Sequence, residues 1–122
     1  MGWMSPEFEQ LLKESAAGNL RAVRAMLDSG VDLNADFGAP RGWSPLMEAA
    51  YHGHLAVVKL LVKRGARLDA VEVDRWGTAL DIATDAGQEK IAEYLAKAGT
   101  PTGEQVPNRY RGGKLGGWGE TK

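Results

Sequence analysis

Three glycines constrain this chain more than any other feature. Gly18, Gly53 and Gly87 stand 35 and 34 residues apart, and each separates two short apolar patterns of helical period. The middle copy is the clearest. Ser44 is a natural N-cap, because its hydroxyl can accept from a free backbone N–H of the first turn. Pro45 follows at the first helical position, where its missing N–H costs nothing. Leu46, Ala49 and Ala50 then form one apolar face, and Gly53 ends the helix. Leu55, Val58, Leu61 and Val62 recur at helical spacing as far as Gly65, which suits the left-handed position after a helix. The result is a helix–turn–helix hairpin with small residues where its helices must approach closely.

The hairpin has copies. Leu11-Leu12 aligns with Leu46-Met47, Gly18-Asn19-Leu20 with Gly53-His54-Leu55, and Gly30 to Ala35 with Gly65 to Ala70. Downstream, Thr78-Ala79-Leu80 stands for Ser44-Pro45-Leu46, and Ala98-Gly99 for Arg64-Gly65. A single hairpin exposes its apolar faces unless neighbours stack on them, so this period predicts a stacked array.

The middle copy resembles an ankyrin repeat, through its Ser-Pro-Leu opening at Ser44, the double Ala at Ala49-Ala50, Gly53-His54-Leu55, and the Leu60-Leu61 to Gly65-Ala66 ending. The resemblance implies an all-α fold: an ankyrin-repeat α-solenoid of helix–turn–helix units joined by β-hairpin-like fingers. The units are expected at about 5–35, 40–70 and 74–99, within an array over 5–100, followed by a Gly-rich C-terminal tail over 101–122. The flanking units match less closely, as terminal capping repeats do. Met47 stands where the family usually has His, and Glu14-Ser15 replaces the double Ala of the first unit. With no upstream neighbour, Glu14 and Ser15 are expected to be solvated. Phe37 to Pro40 lengthens the first finger, and Gly77-Thr78 lacks the residue normally between them.

Local signals place the remaining elements. Ser5-Pro6 opens a first helix as Ser44-Pro45 opens the third, and Leu20 to about Asp28 forms the second. In the second finger Val71 and Val73 alternate with Glu72 and Asp74. Thr78 and Asp81 make a capping-box pattern for the next helix. The last helix, about Glu89 to Lys97, turns Ile91, Ala92 and Leu95 inward and pairs Glu93 with Lys97 at i, i+4.

Several classes of function find no support. The formal net charge of −1 gives no reason to expect nucleic acid. No hydrophobic run is long enough to span a membrane. Met1 to Pro6 lacks the basic start and apolar core of a signal peptide, and Pro6 stands where a myristoylation signal needs Ser or Thr. The absence of cysteine removes thiol nucleophiles and thiolate metal sites and fits a reducing cytoplasm. His52 and His54 flank Gly53, but two ligands without a third do not make a metal site; in the family, the His of Gly-His-Leu bonds between helices. Gly112-Gly113 and Gly116-Gly117 do not precede a helix, so they do not form a phosphate loop. Asp81 and Asp85 share a helix face without a nucleophile, and Asp81 already has a capping role. Neither a catalytic site nor a cofactor or metal is expected.

The resemblance implies protein–protein recognition through a concave face built from finger tips and the variable positions before the helix-ending glycine. Phe37, Arg41, Trp43, Arg75 and Trp76 belong to the fingers or their ends; Glu48, Tyr51, His52 and Asp85 belong to the short helices. Trp, Tyr and Arg are common interface anchors. For Trp43 and Trp76 the competing reading is packing across the hairpins. The expected molecule is a cytoplasmic module, monomeric when unbound, that binds another protein, without nucleic acid or membrane, in a narrower version as an inhibitor or immunity-type protein. An alternative is a structural or assembly role. From Thr100 onward the chain holds six glycines between Gly103 and Gly119 and carries a net charge of +2, against −3 on the preceding residues. Its composition suits a flexible terminus. In the alternative, Tyr110, Leu115 and Trp118 dock on the groove of the same or a neighbouring molecule.

Overall fold

The structure, a computed structural model, describes residues 5–34, 42–72 and 77–106. Six helices follow in order: α1 (Pro6–Ala17), α2 (Leu20–Asp28), α3 (Pro45–His52), α4 (Leu55–Lys63), α5 (Ala79–Asp85) and α6 (Glu89–Lys97). A 3₁₀ turn, Gly103–Gln105, comes after them within the described residues. Among the described residues there is no strand, and no helix is long and apolar enough to cross a membrane.

The odd-numbered helices begin as their sequences dictate. Ser5 Oγ accepts from Phe8 N at 3.1 Å, and Ser44 Oγ from Met47 N at 3.2 Å. Thr78 and Asp81 close a reciprocal capping box at α5: Thr78 N donates to Asp81 Oδ2 at 3.0 Å, and Asp81 N donates to Thr78 Oγ1 at 3.4 Å. Gly18 and Gly53 end α1 and α3 in the left-handed region, at φ 77° and 84°.

The helices stack in two layers. α1, α3 and α5 pack on one another in series, and each lies against its own partner, α2, α4 or α6. Contacts within the first layer are much more extensive than those between α2, α4 and α6. Small side chains allow this: Ser15, Ala49, Ala50 and Ala83 are fully buried between or behind the first-layer helices. Closer spacing on one side bends the stack, so the first layer is the inner side of the solenoid. The core is one continuous cluster from Leu11 to Leu95. α4 is buried on both flanks, at Val57, Val58, Leu60 and Leu61, because among the described helices it is the one with an outer helix on each side.

Ser15 differs from expectation. It is fully buried, whereas Glu14 is half-buried. The repeat register explains the difference. Glu14, Ala49 and Ala83 are equivalent, and only the first, which has no unit before it in the described stack, keeps exposure. Ser15, Ala50 and Thr84 are equivalent, and only the last, which has no further unit after it in the described stack, is exposed. Ser15 therefore lies under the second unit. Glu72 also differs: the polar member of the Val71–Asp74 alternation is buried, at 3% exposure.

Two sets of side-chain hooks tie the units together. His54 Nε2 donates to Ala16 O at 2.9 Å, and one unit later Gln88 Nε2 donates to Tyr51 O at 3.2 Å. Gly18 and Gly53 let these side chains approach: a Cβ on Gly18 would overlap the His54 ring, and one on Gly53 would lie 2.9 Å from the Gln88 amide. At the finger bases, Asn34 Nδ2 donates to Gly65 O at 3.0 Å, and Arg67 N donates to Asn34 Oδ1 at 2.9 Å. Arg64 is hydrogen-bonded to Asp28 nearby. The second finger closes through Glu72 N donating to Gly77 O at 3.0 Å.

The chain keeps packing beyond Gly99. Thr78 Oγ1 donates to Pro101 O at 2.7 Å, Gly103 N donates to Asp81 Oδ2 at 2.6 Å, and Val106 is 3% exposed. The change of composition at Thr100 is thus not where packing stops.

Candidate functional site

α3 is short, and three of its sides are occupied by α1, α5 and α4. Its remaining side carries Glu48 and His52, one turn apart, with Tyr51 beside them at the C-terminal end. Trp43 enters from the segment just before the Ser44 cap. It is half-buried and packs against the core. Its ring meets Tyr51 edge-to-face at 5.6 Å between centroids, with the planes at 76°. Tyr51 meets His52 in the same manner at 4.9 Å. His52 in turn lies stacked over His54, 6.4 Å away. Such edge-to-face pairs fix ring orientation beyond what area burial supplies.

This row is held from below and exposed above. Tyr51 O accepts from Gln88, and His54 is anchored to Ala16 O. Glu48 Oε1 lies 3.8 Å from His52 Nε2. Tyr51 is 49% exposed, the most exposed large hydrophobic side chain among the described residues. His52 is exposed and Glu48 half-buried.

The structure therefore brings Trp43, Glu48, Tyr51 and His52 together on the inner side of α3. Asp85 is exposed at the position of α5 equivalent to Tyr51, one unit along. Phe37, Arg41, Arg75 and Trp76 of the fingers, and Tyr110, Leu115 and Trp118 of the tail, lie outside the described residues. Trp43 packs on the core and makes an edge contact with Tyr51. Gln88 is the residue that sequence reasoning misses, although its register with His54 after the repeated glycine is a usable signal. It holds the Tyr51 carbonyl and hence the end of α3.

Among the described residues no group of three or more His, Cys, Asp or Glu is placed to hold a metal ion. The Asp81 carboxylate is engaged by the N–H groups of Thr78 and Gly103. The arrangement offers rigid aromatic area with polar groups at its edge, which is chemistry suited to docking another surface.

Comparison with known proteins places this geometry in context. Residues 11–105 match ankyrin repeats in three copies. The chain is 31% identical over 94 residues to the Notch-regulated ankyrin repeat-containing protein of Homo sapiens, covering 75% of this chain and 82% of that protein. It is 34% identical over 97 residues to Ankyrin repeat and SAM domain-containing protein 6 of Mus musculus, covering 76% of this chain but only 10% of that protein. With Ankyrin repeat and SOCS box protein 3 of Homo sapiens the identity is 30% over 84 residues, covering 67% of this chain and 16% of that protein.

Proposed function

Because this chain belongs to the ankyrin repeat family, whose repeats serve as protein–protein interaction modules, we propose that it binds a partner protein through the inner face of α3 and its neighbours, without catalysis. The observation that carries this reading is the Trp43–Tyr51–His52 row. An exposed Tyr whose ring is already oriented by two edge contacts loses little freedom on binding, and preorganisation of this kind converts buried area into affinity. Aromatic residues in such settings are frequent hot spots. Glu48 and Asp85 supply polar contacts at the edge. The action is stoichiometric: a rigid face occludes or tethers its partner. A narrower form is an inhibitor or immunity-type protein that masks an enzyme or toxin, acting in the cytoplasm as a monomer until bound.

The test compares a tagged chain with its Tyr51→Ala/His52→Ala variant in capture from native lysate. Trp43 is left intact because its core packing would confound the result. The variant should still melt cooperatively but several degrees below the parent, since it removes two edge-to-face ring contacts worth about 0.5–1.5 kcal/mol each. A protein captured by the parent and lost by the variant, and saturating at a fixed stoichiometry when titrated, supports the reading. Undiminished capture by the variant removes the inner face of α3 as the site.

A further inference from the structure

The outer helices present a basic side that plays no part in the inner-face reading. The offsets of 35 and 34 residues put α2, α4 and α6 in register. Within each helix, positions at i, i+3 and i+7 share one side. They are Arg21, Arg24 and Asp28 in α2, Ala56, Lys59 and Lys63 in α4, and Lys90, Glu93 and Lys97 in α6. All of these residues are exposed, so this side is turned away from the core. Across the helices Arg24 aligns with Lys59, Lys63 with Lys97, and Arg21 with Lys90.

The two carboxylates on this side are already engaged. Asp28 is bonded to Arg64, and Glu93 Oε2 lies 3.7 Å from Lys97 Nζ. Arg21, Arg24, Lys59, Lys63 and Lys90 make no ion pair among the described residues, whereas Lys13, Arg64, Arg67 and Lys97 each do. The unpaired cations of the described residues therefore all lie on this one side. Lys59 Nζ is 5.6 Å from the centre of the Tyr94 ring, so this ammonium leans from α4 towards α6.

These features select the occupant. Cations without partners call for an anion. None of the positions on this side carries a ring or a large apolar side chain, so it offers no stacking for bases and no apolar wedge for a bilayer. Asp28 and Glu93 would repel a continuous row of phosphates but suit a partner of mixed charge. The chain as a whole carries a net charge of −1. The basic side therefore acts within about one Debye length, about 8 Å, and does not draw in large polyanions from a distance. Helices packed about 8–10 Å apart spread this side over about 20 Å, which an extended segment of about six or seven residues crosses.

We propose that the outer side of α2, α4 and α6 is a docking surface in its own right, taking an acidic, Asp- or Glu-rich segment of a partner protein. It is separate from the inner face of α3 and does not depend on the reading of that face. Each exposed charge pair contributes little; the affinity comes from several acting together and is screened by salt.

The test titrates the isotopically labelled full chain with a short peptide of alternating Glu and Ser and reads backbone amide shifts by NMR. The expected result is saturable binding with shifts concentrated on α2, α4 and α6, weakened several-fold in about 0.5 M salt. Arg24→Glu/Lys63→Glu should weaken it about tenfold or more, because each reversal removes an attraction and adds a repulsion. The neutral Arg24→Gln/Lys63→Gln variant should fall between. Lys59 is left intact because of its contact with Tyr94. An absence of saturable binding, shifts centred on α3, or an affinity indifferent to charge reversal overturns the proposal. So does equal or tighter binding to phosphatidylserine vesicles or to a DNA duplex, because the side would then be a general polyanion surface. Tyr51→Ala/His52→Ala should leave peptide binding unchanged, so failure of the inner face and failure of this surface are read separately.

Discussion

Ser15 shows how one side chain records its place in the stack. It occupies the position of Ala50, lies fully buried, and its hydroxyl has no hydrogen-bond partner among the described residues. A buried hydroxyl without a partner costs about 1–3 kcal/mol, and Ala is also the better helix former. Ser15→Ala is therefore expected to stabilise the protein by about 1 kcal/mol, read as a higher urea midpoint at unchanged slope; a lower midpoint would mean that the hydroxyl is satisfied. Thr78 is the opposite case. Its hydroxyl is equally buried but caps α5 and donates to Pro101 O. Thr78→Ala should cost about 2 kcal/mol while Thr78→Ser retains most of the stability, measured on the same denaturation curve.

At the scale of elements, the junctions between helices decide how units join. Gly18 and Gly87 adopt nearly the same backbone, φ 77° and 76°. The left-handed conformation costs a residue with a Cβ about 1–2 kcal/mol, so both glycines should resist Ala to that extent. They differ in surroundings: a Cβ on Gly18 would run into the His54 ring, whereas one on Gly87 would meet nothing within 4 Å. Gly18→Ala is expected to cost at least about 1 kcal/mol more than Gly87→Ala, through displacement of His54 from Ala16 O. A double-mutant cycle with His54→Ala should absorb that excess. Equal costs at the two glycines would show that the His54 hook adds nothing across the junction.

At the scale of the whole molecule, stability follows the one-dimensional order of the units. Among the described residues each unit packs chiefly on its sequence neighbours, so the middle unit holds two interfaces and each outer unit one. Leu61 in α4 and Leu95 in α6 are both fully buried, and truncation of either removes about 2–5 kcal/mol locally. The consequences should differ. Leu61→Ala should weaken the entire array and lower its single melting transition. Leu95→Ala should let α5 and α6 open separately, seen as faster hydrogen exchange there while α1 to α4 keep their protection. Uniform acceleration of exchange in the second variant would show that the three units unfold only together.

The sequence by itself determined the repeating unit, the helices and their ends. These depend on a 3.6-residue period, a side-chain cap three residues away, and a glycine after the last turn, all of which act within a few residues of one another. Ser44, Thr78 with Asp81, and Gly53 are therefore legible from local pattern alone. So is His54 as a bond between helices, though through family resemblance. Tertiary structure decided what depends on which side of a residue receives a neighbour. It buried Ser15 but not Glu14, and gave Gln88 the task His54 performs one unit earlier. It folded residues 101–106 onto α5 and gathered Trp43, Glu48, Tyr51 and His52 on one side of α3. Stacking creates these relations between residues about 35 positions apart, where a local pattern carries no information about which faces meet.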